Sequence, residues 1–495
     1  MTIDDTLQRM AASDIKQVRL AWCDLHGELR SKTLMPLAVE DALRNGMGMV
    51  GTLALKDTSD RTAFKVFENG GMGNMPEFAH AANMLLRPVL DSYQELPWAP
   101  GTAWLQGQLC HADGRPANVD TRHILQTAID QLEALGLGLR CGLEVEFHIY
   151  KIENTRPQLD PDLAAWPGLP PAVSMLHPGY QLLSEQYTDM CDAPLRIVRD
   201  TAQALGLPLT SLEVEFGPSQ FEAVFEATDA MTAADNMVLF KSAVRQALRR
   251  AGYHATFMCR PPFAGITSSG WHLHQSLVQL DGGNNAFALP TPNEAQEDWY
   301  KRAMAPLQAL LPVAKPLVAA SYLGATGCHY LAGLLAHAPG ATALSNPSIN
   351  AYARFAANAL APQSMVWGHD NRGAMLRVLA PRDNRQATRI ENRVGEPMAN
   401  PYLHLASQIY AGLDGMARKL APALAAESPY AASAAQLPTS LANALDALQS
   451  DTALCTALGA PFVHYYNQIK RQEIARYSAA QDPVDWQRRE VFARF

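Results

Sequence analysis

Two glutamates that could bind a cation stand two positions apart in the apolar run GLEVEFHIY. On a β-strand, residues i and i+2 point to the same face, so Glu144 and Glu146 would share one face. Two carboxylates held in that way repel each other and lose hydration unless a cation lies between them. The alternative is a solvated sheet edge, with Leu143, Val145 and Phe147 forming the buried face.

The same spacing recurs in other segments of the chain. Glutamates surround the Gly-Pro turn of SLEVEFGPSQFE, two histidines stand two apart in SSGWHLHQSL, and a glutamate lies between arginines in TRIENR. Hard oxygen ligands, with imidazole beside them, suit Mg²⁺ or Mn²⁺. A lone histidine on an apolar strand is more commonly a hydrogen-bonded core residue, but the recurrence favours a metal site. Its further candidates are Glu213, Glu215, Glu222, His272, His274 and Glu391.

A cluster of arginines follows in Pro- and Asn-rich turns. Guanidinium groups bind phosphates and carboxylates through paired hydrogen bonds. The alternative is a solvated basic face. There is no GxxxxGK[ST] loop, and the GxG element Gly136–Gly138 lacks the following helix that would make it a phosphate loop. A bound nucleotide would therefore be held by metals and arginines. The arginines are Arg354, Arg372, Arg377, Arg389 and Arg393.

Composition excludes several classes of protein. The chain has 495 residues, 48% of them hydrophobic, and a net charge of −8, which argues against nucleic acid as a partner. No apolar run is long enough to predict a membrane span, and the acidic first residues do not resemble a signal peptide. Seven cysteines without CxxC spacing predict reduced thiols and a cytoplasmic protein.

The elements that position these residues fall into two parts. A hairpin is predicted over 15–35, and a helix is predicted to begin at Asp120 or Thr121, so the domain boundary is placed near residue 118. Strands are then predicted at 141–150, 210–217, 222–226, 254–259 and 271–280. Helices are predicted at 229–252, 296–315 and 402–421, with more in the Ala-rich stretch 421–450.

Seven segments together resemble the glutamine synthetase family, in its bacterial type I branch and the γ-glutamyl-amine ligases related to it. They are GLEVEF, EFGPSQFE, SSGWHLHQSL, NPSINAYARF, DNRGAMLRV, RIENR and ANPYLHLASQIYAGLDGM, in the family's order. The resemblance implies a mixed α+β and α/β fold. Its parts would be a small N-terminal β-grasp domain over 1–118 and a large catalytic β/α domain over 119–495.

The resemblance also implies a role for each matching position. The ligands of a metal that polarises the acceptor phosphate would be Glu146, Glu215 and Glu222. The ligands of a second metal, which bridges the ATP phosphates, would be Glu144, His272 and Glu391. The nucleotide and its phosphates would be contacted by His274, Ser276, Arg372, Arg377 and Arg389. Glutamate and its acyl phosphate would be held by Glu146, Gly270, Arg354 and Arg393, with Arg354 and Arg372 catalytic.

The reaction implied by the resemblance has two steps. A glutamate carboxylate attacks the γ-phosphorus of ATP to give γ-glutamyl phosphate, and an amine then displaces phosphate. Two or three Mg²⁺ or Mn²⁺ ions would serve each active site. The resemblance further implies a homo-oligomeric ring, a dodecamer, with active sites between neighbouring subunits.

The departures from the family pattern concern the amine. Asn83 stands where glutamine synthetases have an aspartate that attracts ammonium, with Ala82 and Val89 replacing two further polar residues. Leu360 stands where they have a glutamate that closes over the ammonium. An amide cannot accept the proton or attract a cation as a carboxylate does. These changes predict a hydrophobic or aromatic amine such as aniline, as in the similar γ-glutamylanilide synthases, and a role in opening amine catabolism, including aniline degradation.

Four side chains are candidates for the lining of the amine pocket, and for each aromatic one the alternative is core packing. They are Tyr180, Phe216, Trp271 and Leu360. Thr267 and Ser268 replace an Asn-Gly pair that helps to hold the glutamate amino group, so a related acid stays an alternative. Other hypotheses are a ligase for polyamines, alkylamines or ethanolamine, an ordinary glutamine synthetase, and an inactive structural relative.

Overall fold

The computed structural model describes residues 1–290, 318–355, 361–431 and 434–495. The first part of the chain forms a five-stranded sheet in the order β2-β1-β5-β4-β3, where β1 and β5 are parallel and the other pairs antiparallel. Its strands are β1 Gln17–Cys23, β2 Leu29–Leu34, β3 Met47–Val50, β4 Asn83–Glu95 and β5 Thr102–Cys110. Helix α1 (Ile3–Ala12) precedes the sheet and α2 (Pro36–Asn45) connects β2 to β3.

The turn between β1 and β2 confirms the predicted hairpin. Asp24 accepts hydrogen bonds from the backbone N–H groups of His26 and Glu28 at 2.9 and 3.0 Å. Gly27 has a φ of +80°, which side chains other than hydrogen rarely allow. Arg30 on β2 forms an ion pair with the buried Asp24 at 2.8 Å, so the turn is fixed from inside.

The second sheet has nine strands and carries the predicted acidic segments. The order is β12-β13-β14-β11-β6-β9-β8, and β7 and β10 also pair with β6. Only β12 and β13 run parallel among the described strands of this sheet. The strands are β6 Leu137–Asn154, β7 Ala172–Met175, β8 Leu209–Val214, β9 Gln220–Asp229, β10 Tyr253–Thr256, β11 Trp271–Gln279, β12 Trp367–His369, β13 Leu376–Leu379 and β14 Arg389–Gly395.

The helices predicted from Asp120 or Thr121, at 229–252 and at 402–421 are present over most of their length, and several further helices were not predicted. Asp120 caps the first one, accepting from the N–H of His123 at 2.7 Å. The predicted helix over 296–315 lies outside the described residues. The described α-helices of the second part are α3 Thr121–Glu133, α4 Arg156–Leu159, α5 Glu185–Met190, α6 Asp192–Ala204, α7 Ala230–Arg250, α8 Ala325–Ala336, α9 Ala338–Ser345, α10 Pro401–Ala417, α11 Leu441–Ser450, α12 Thr452–Leu458, α13 Ala460–Ser478 and α14 Pro483–Gln487.

The prediction of helices throughout 421–450 is wrong for its first part. The described residues before Leu441 are irregular, and only α11 forms a helix in this stretch. Pro422, Pro429 and Pro438 each remove a backbone donor and clash with the preceding turn. The high alanine content therefore does not suffice for a helix.

One face of β6 packs in the hydrophobic core, and the other face carries the glutamates. Leu143, Val145 and Phe147 are 3%, 0% and 0% exposed, and Phe147 packs on Phe240 of α7. Because side chains alternate along a strand, the glutamates between them point to the opposite face. In the described part of the chain no helix is long and apolar enough to cross a membrane. The seven cysteines are free thiols, five of them buried, as predicted.

Candidate active site

The register of the second sheet brings the predicted metal ligands together across four strands. Glu146 on β6 lies directly opposite Glu222 on β9. Glu144 lies opposite His272 on β11. His274 lies opposite Glu391 on β14.

Glu144 is the centre of this arrangement. Its two carboxylate oxygens lie 3.3 Å from His272 Nδ1 and 3.0 Å from His274 Nε2. Ligand atoms lie within 4.8 Å of one another in two overlapping groups, Glu144 with His272 and Glu222, and Glu144 with His274 and Glu391. The expected grouping put His272 with Glu391. His274 also lies beside Glu391, because these two residues face each other across β11 and β14, and both histidines act electrostatically on Glu391.

The carboxylates at the other end of the arrangement repel one another. Burial, and then the charges of Glu146, Glu144 and Glu215, raise the pKa of Glu222 to about 9. Burial and the neighbouring Glu215 likewise raise the pKa of Glu146. A divalent cation between these groups would relieve both effects, since it favours their ionised forms.

Hydrogen bonds from imidazoles favour the ionised form of Glu144, and arginine partners favour that of Glu391. Burial acts to raise the pKa of Glu144, but hydrogen bonds from His272 and His274 outweigh it and lower that pKa. Glu391 is fully buried, yet it accepts from Arg377 at 3.0 Å and from Arg393, and its pKa is lowered. Carboxylates with one or two imidazoles form a donor set that fits Mg²⁺ or Mn²⁺.

Gln220 was not among the predicted site residues, but it links several of them. Its Nε2 donates to Glu146 at 2.9 Å and to the Ser268 carbonyl at 3.3 Å. Its Oε1 accepts from Thr267 Oγ1 at 2.6 Å and from the Gly217 N–H at 2.8 Å. The Thr267 hydroxyl and the Gly217 N–H together hold the Gln220 amide with its oxygen away from Glu146. The spacing of Gln220 to Glu222, two positions on one strand, is the sequence signal that could have identified it.

Arg354 lies below the metal ligands and is 3% exposed. Its guanidinium donates to the carbonyls of Val394 and Gly395 at 2.8 and 2.6 Å. A Cβ on Gly270 would lie 2.7 Å from Arg354 Nη2, so a side chain at this position would displace the guanidinium. The N–H of Gly270 donates to Glu146 at 3.0 Å. Arg354 and Gly270 thus meet at the same edge of the site.

An open cavity of about 600 Å³ adjoins Glu144. Its walls include His274, Ser276 and Arg389, three of the residues predicted to contact a nucleotide. Arg389 donates to His274 Nδ1 at 3.2 Å, which leaves His274 Nε2 directed at Glu144. Arg377 is not in this wall. Arg372 is exposed in the turn between β12 and β13.

Two of the aromatic candidates for an amine pocket lie together. Tyr180 and Phe216 pack edge to face, with ring centroids 5.5 Å apart, and the Tyr180 hydroxyl donates to the Gly265 carbonyl. Tyr180 is 53% exposed and has a φ of +63°, a conformation rare for a side chain of this size. The backbone N–H of Phe216 donates to Glu215 at 2.9 Å, so this pair borders the acidic cluster.

Trp271 is a core residue, so the prediction that it lines the amine pocket is wrong. It is 0% exposed and packs against His404 with ring centroids 5.1 Å apart. It lies opposite Val145 and therefore faces the core, whereas its neighbour His272 faces the acidic cluster. The alternative of core packing was the right one for this residue.

Of the two positions predicted to distinguish the chain from glutamine synthetases, the structure describes Asn83, which belongs to the first sheet and not to the sheet with the acidic strands. Asn83 is the first residue of β4, exposed and opposite Val50 in the five-stranded sheet. Within the described ranges, no hydrogen bond or ion pair joins Asn83 to the second sheet. Leu360 lies outside the described residues.

A sheet that gathers carboxylates, imidazoles and arginines beside a large open cavity defines a metal-dependent phosphoryl-transfer site. The sequence model of the family described as glutamine synthetase, catalytic domain, matches residues 118–322 and 315–489. The chain therefore belongs to the glutamine synthetase family and is an ATP-dependent ligase.

Individual relatives match nearly the whole chain. A γ-glutamylanilide synthase of an Acinetobacter species is 35% identical, over 99% of this chain and 95% of that protein. A γ-glutamylethanolamide synthetase of Streptomyces coelicolor is 28% identical, over 98% and 94%. Among solved structures, a GmaS/ADP complex matches with a TM-score of 0.74 and 27% identity, covering 98% of each chain. The likeness in fold thus includes both sheets.

Proposed function

We propose that this protein joins the γ-carboxylate of glutamate to a hydrophobic or aromatic amine such as aniline, using ATP. The product would be a γ-glutamylamide, formed at the start of a route of amine catabolism. The observation that carries the proposal is the contrast between an intact acidic cluster and an amine side that lacks the expected carboxylates at Asn83 and Leu360.

The cavity beside Glu144 is proposed as the ATP site. His274, Ser276 and Arg389 line it, and its volume of about 600 Å³ is within the range of nucleotide-sized pockets. Two or three Mg²⁺ or Mn²⁺ ions would be held by the carboxylates and imidazoles of the site and would neutralise charge on the phosphates. Their proposed ligands are Glu144, Glu146, Glu215, Glu222, His272 and Glu391.

The first step places a glutamate carboxylate oxygen in line with the γ-phosphorus of ATP. The new P–O bond forms as the bond to ADP breaks, giving γ-glutamyl phosphate. Buried Arg354 and the adjacent Arg393 supply positive charge at this edge of the site, where negative charge develops on the transferred group. Arg372, exposed on its turn, is proposed to reach the phosphates from solvent.

In the second step the amine nitrogen attacks the acyl carbon, the bond to phosphate breaks, and the nitrogen gives up a proton. An ammonium ion must lose a proton before it can attack, and a carboxylate nearby helps it to do so. An arylamine is already uncharged near neutral pH. The absence of carboxylates at Asn83 and Leu360 would therefore slow its reaction little. The rings of Tyr180 and Phe216, beside Glu215, offer such an amine an apolar contact.

The relatives support the same class of reaction. One is named for an anilide product and another for an ethanolamide product, so both act on amines larger than ammonia. The higher identity, 35%, is to the anilide synthase. An ethanolamine or alkylamine ligase is the second candidate, favoured by the 28% identical ethanolamide synthetase.

The assembly and the organisation of the chain are part of the proposal. We propose a β-grasp domain over 1–118, a catalytic domain over 119–495 and a cytoplasmic ring oligomer, a dodecamer. Asn83 lies on the first sheet and the acidic residues lie on the second, an arrangement that supports active sites shared between subunits, in which a neighbour's first sheet would complete the amine side.

An amine panel tests the proposal. Phosphate release would be measured with ATP, Mg²⁺ and glutamate against ammonium, ethanolamine, putrescine, isopropylamine and aniline. We expect the highest kcat/KM for aniline. A best substrate of ammonium would refute the proposal, ethanolamine or isopropylamine would favour the second candidate, and putrescine would indicate a polyamine ligase. No turnover with any amine, from a folded protein, would favour an inactive relative.

A further inference from the structure

A second cavity, of about 370 Å³, lies between α7, the β1–β2 turn and the last residues of the chain. It shares no lining residue with the cavity beside Glu144. Helix α7 packs on the core face of β6, so this second cavity and the acidic cluster lie on opposite sides of the sheet. Its volume is that of a small-metabolite pocket.

The walls of this cavity carry an excess of positive charge. Arg245, Arg249 and Arg494 line it, and Glu28 is the one carboxylate among its lining residues. Arg245 is engaged, since it pairs with Glu28 and donates to the Arg494 carbonyl at 2.7 Å. Arg249 donates to the neutral amide of Gln158 at 2.6 Å, which does not compensate its charge.

Arg494 is the least compensated of the three. Over the described ranges its guanidinium has no hydrogen bond or ion pair, although the residue is half-buried. Burial, and then the charge of Arg30, lower the pKa of Arg494. A guanidinium held in this way binds an oxyanion without first breaking an existing pair.

The last residues of the chain join this cavity to the loop that carries Gly270. The Phe495 carbonyl accepts from Thr256 Oγ1 and from the Phe257 N–H at 3.2 Å. Beyond the end of β10 the chain continues as an irregular segment to Cys259, whose carbonyl accepts from the Ser269 N–H at 2.6 Å. A ligand that fixes Arg494 would also fix the end of the segment that leads to Gly270.

We propose that the cavity bounded by Arg245, Arg249 and Arg494 is a binding site for a small dianion, either a phosphate or a dicarboxylate, separate from the active site. Among the side chains that line the cavity, three guanidinium groups and one carboxylate leave a net charge of +2, which favours such a ligand. The bound anion contacts α7 and the chain end together. It is thus a clamp that holds residues 493–495 on the body of the protein.

Titration calorimetry of the full-length enzyme with inorganic phosphate and, separately, with succinate tests the site. The wild-type protein should bind one dianion per chain that Arg494→Gln binds at least about tenfold more weakly, the loss of one charge-assisted contact. Arg249→Gln should weaken it similarly. Arg250→Gln is the matched control, because Arg250 is exposed on the same helix and does not line the cavity.

Hydrogen exchange localises the binding independently of the affinity. Added dianion should slow exchange in 490–495 and at the end of α7 in the wild type and in Arg250→Gln, and not in Arg494→Gln. Binding of phosphate but not of succinate would identify the ligand as a phosphate, and binding of succinate but not of phosphate would identify it as a dicarboxylate. Unchanged affinity in both Arg494→Gln and Arg249→Gln, or protection confined to the active-site strands, would overturn the proposal. A loss of binding in Arg250→Gln would do the same.

Discussion

Glu146 of β6 and Glu222 of β9 lie directly opposite each other on the chemical face of the second sheet. Facing pairs on adjacent strands bring side chains within about 5.5 Å, and like charges at that distance destabilise a sheet. The pair therefore destabilises the fold unless the proposed metal is bound. It leads to a prediction about how the stability of the metal-free protein depends on pH.

The stability of the metal-free protein should fall as pH rises. The pKa of Glu222 is raised from 4.5 to about 9, so the folded chain holds this proton more tightly than the unfolded chain does. The stability due to the protonated carboxyl is complete below pH 4.5 and is lost as pH rises through about 9. We expect the free energy of unfolding in EDTA to drop by roughly 2 kcal/mol from pH 5 to pH 9. Urea denaturation measures it.

Two comparisons isolate the cause of this pH dependence. Glu222→Gln should flatten it, and excess Mg²⁺ should remove it in the wild type. Glu226→Gln, an exposed change on the same strand, should leave it intact. An equally steep loss of stability in Glu222→Gln would assign the effect to other groups.

Glu222→Gln should also abolish turnover while the protein stays folded. Removing one charged ligand weakens metal binding and leaves phosphate charge uncompensated, so we expect kcat to fall by at least about 100-fold. ATP-coupled phosphate release with glutamate and aniline measures it. Wild-type turnover in this variant, or a comparable loss in Glu226→Gln, would contradict the assignment of the metal site.

Restoring a carboxylate at position 83 should move the substrate preference toward ammonium. An added negative charge a few ångströms from a cation is worth about 1–4 kcal/mol, depending on solvent exposure. We expect Asn83→Asp to raise the ratio of kcat/KM for ammonium over aniline by about tenfold or more. Asn154→Asp adds the same charge at an exposed position of the second sheet and should leave the ratio unchanged. An unchanged ratio in Asn83→Asp would remove this residue from the amine side.

Truncating Phe216 should weaken an aromatic amine more than a small one. The edge-to-face contact with Tyr180 shows that this position accommodates a ring, and such contacts contribute about 0.5–1.5 kcal/mol beyond burial. We expect Phe216→Ala to raise KM for aniline about tenfold, with KM for glutamate changed less than about twofold. Phe67→Ala, a change of an exposed ring in the first part of the chain, is the control. Equal rises for glutamate and aniline would indicate a general distortion of the site.

The hydroxyl of Thr267 should matter through Gln220. Thr267→Val keeps the shape but removes one of the two donors to Gln220 Oε1, so only the Gly217 N–H then holds the amide in the orientation that donates to Glu146. We expect the Mg²⁺ concentration for half-maximal activity to rise about fivefold or more, because Glu146 loses a donor that orients it. Thr267→Ser retains the hydroxyl and should behave as the wild type. Identical effects of both changes would point to packing instead.

Alternation along single strands made much of the site predictable. Glu144 and Glu146 share a face, as do His272 and His274, because the period of a strand is two. The pairing between strands was harder to predict from the sequence. His274 lies opposite Glu391 only because β11 and β14 adopt one particular register, and the two residues are far apart in the sequence.

Besides the register of the strands, the burial of individual side chains could not be predicted from the sequence. Trp271 and Phe216 are both aromatic residues beside predicted ligands, yet one is in the core and the other borders the acidic cluster. The difference lies in the strand face for Trp271 and in the turn after β8 for Phe216. The cavity lined by Arg494 could not be predicted for a related reason. Its walls come from five separate segments, and only folding places residues 493–494 against α7.

The ligands around Glu144 come from strands that the ribosome delivers at widely separated times. Glu144 emerges early, whereas Glu391 follows only after most of the catalytic sheet has been synthesised. A nascent chain therefore lacks part of this group of side chains until β14 has been synthesised. Because its members are dispersed along the chain, the group can assemble only late in the synthesis of the protein.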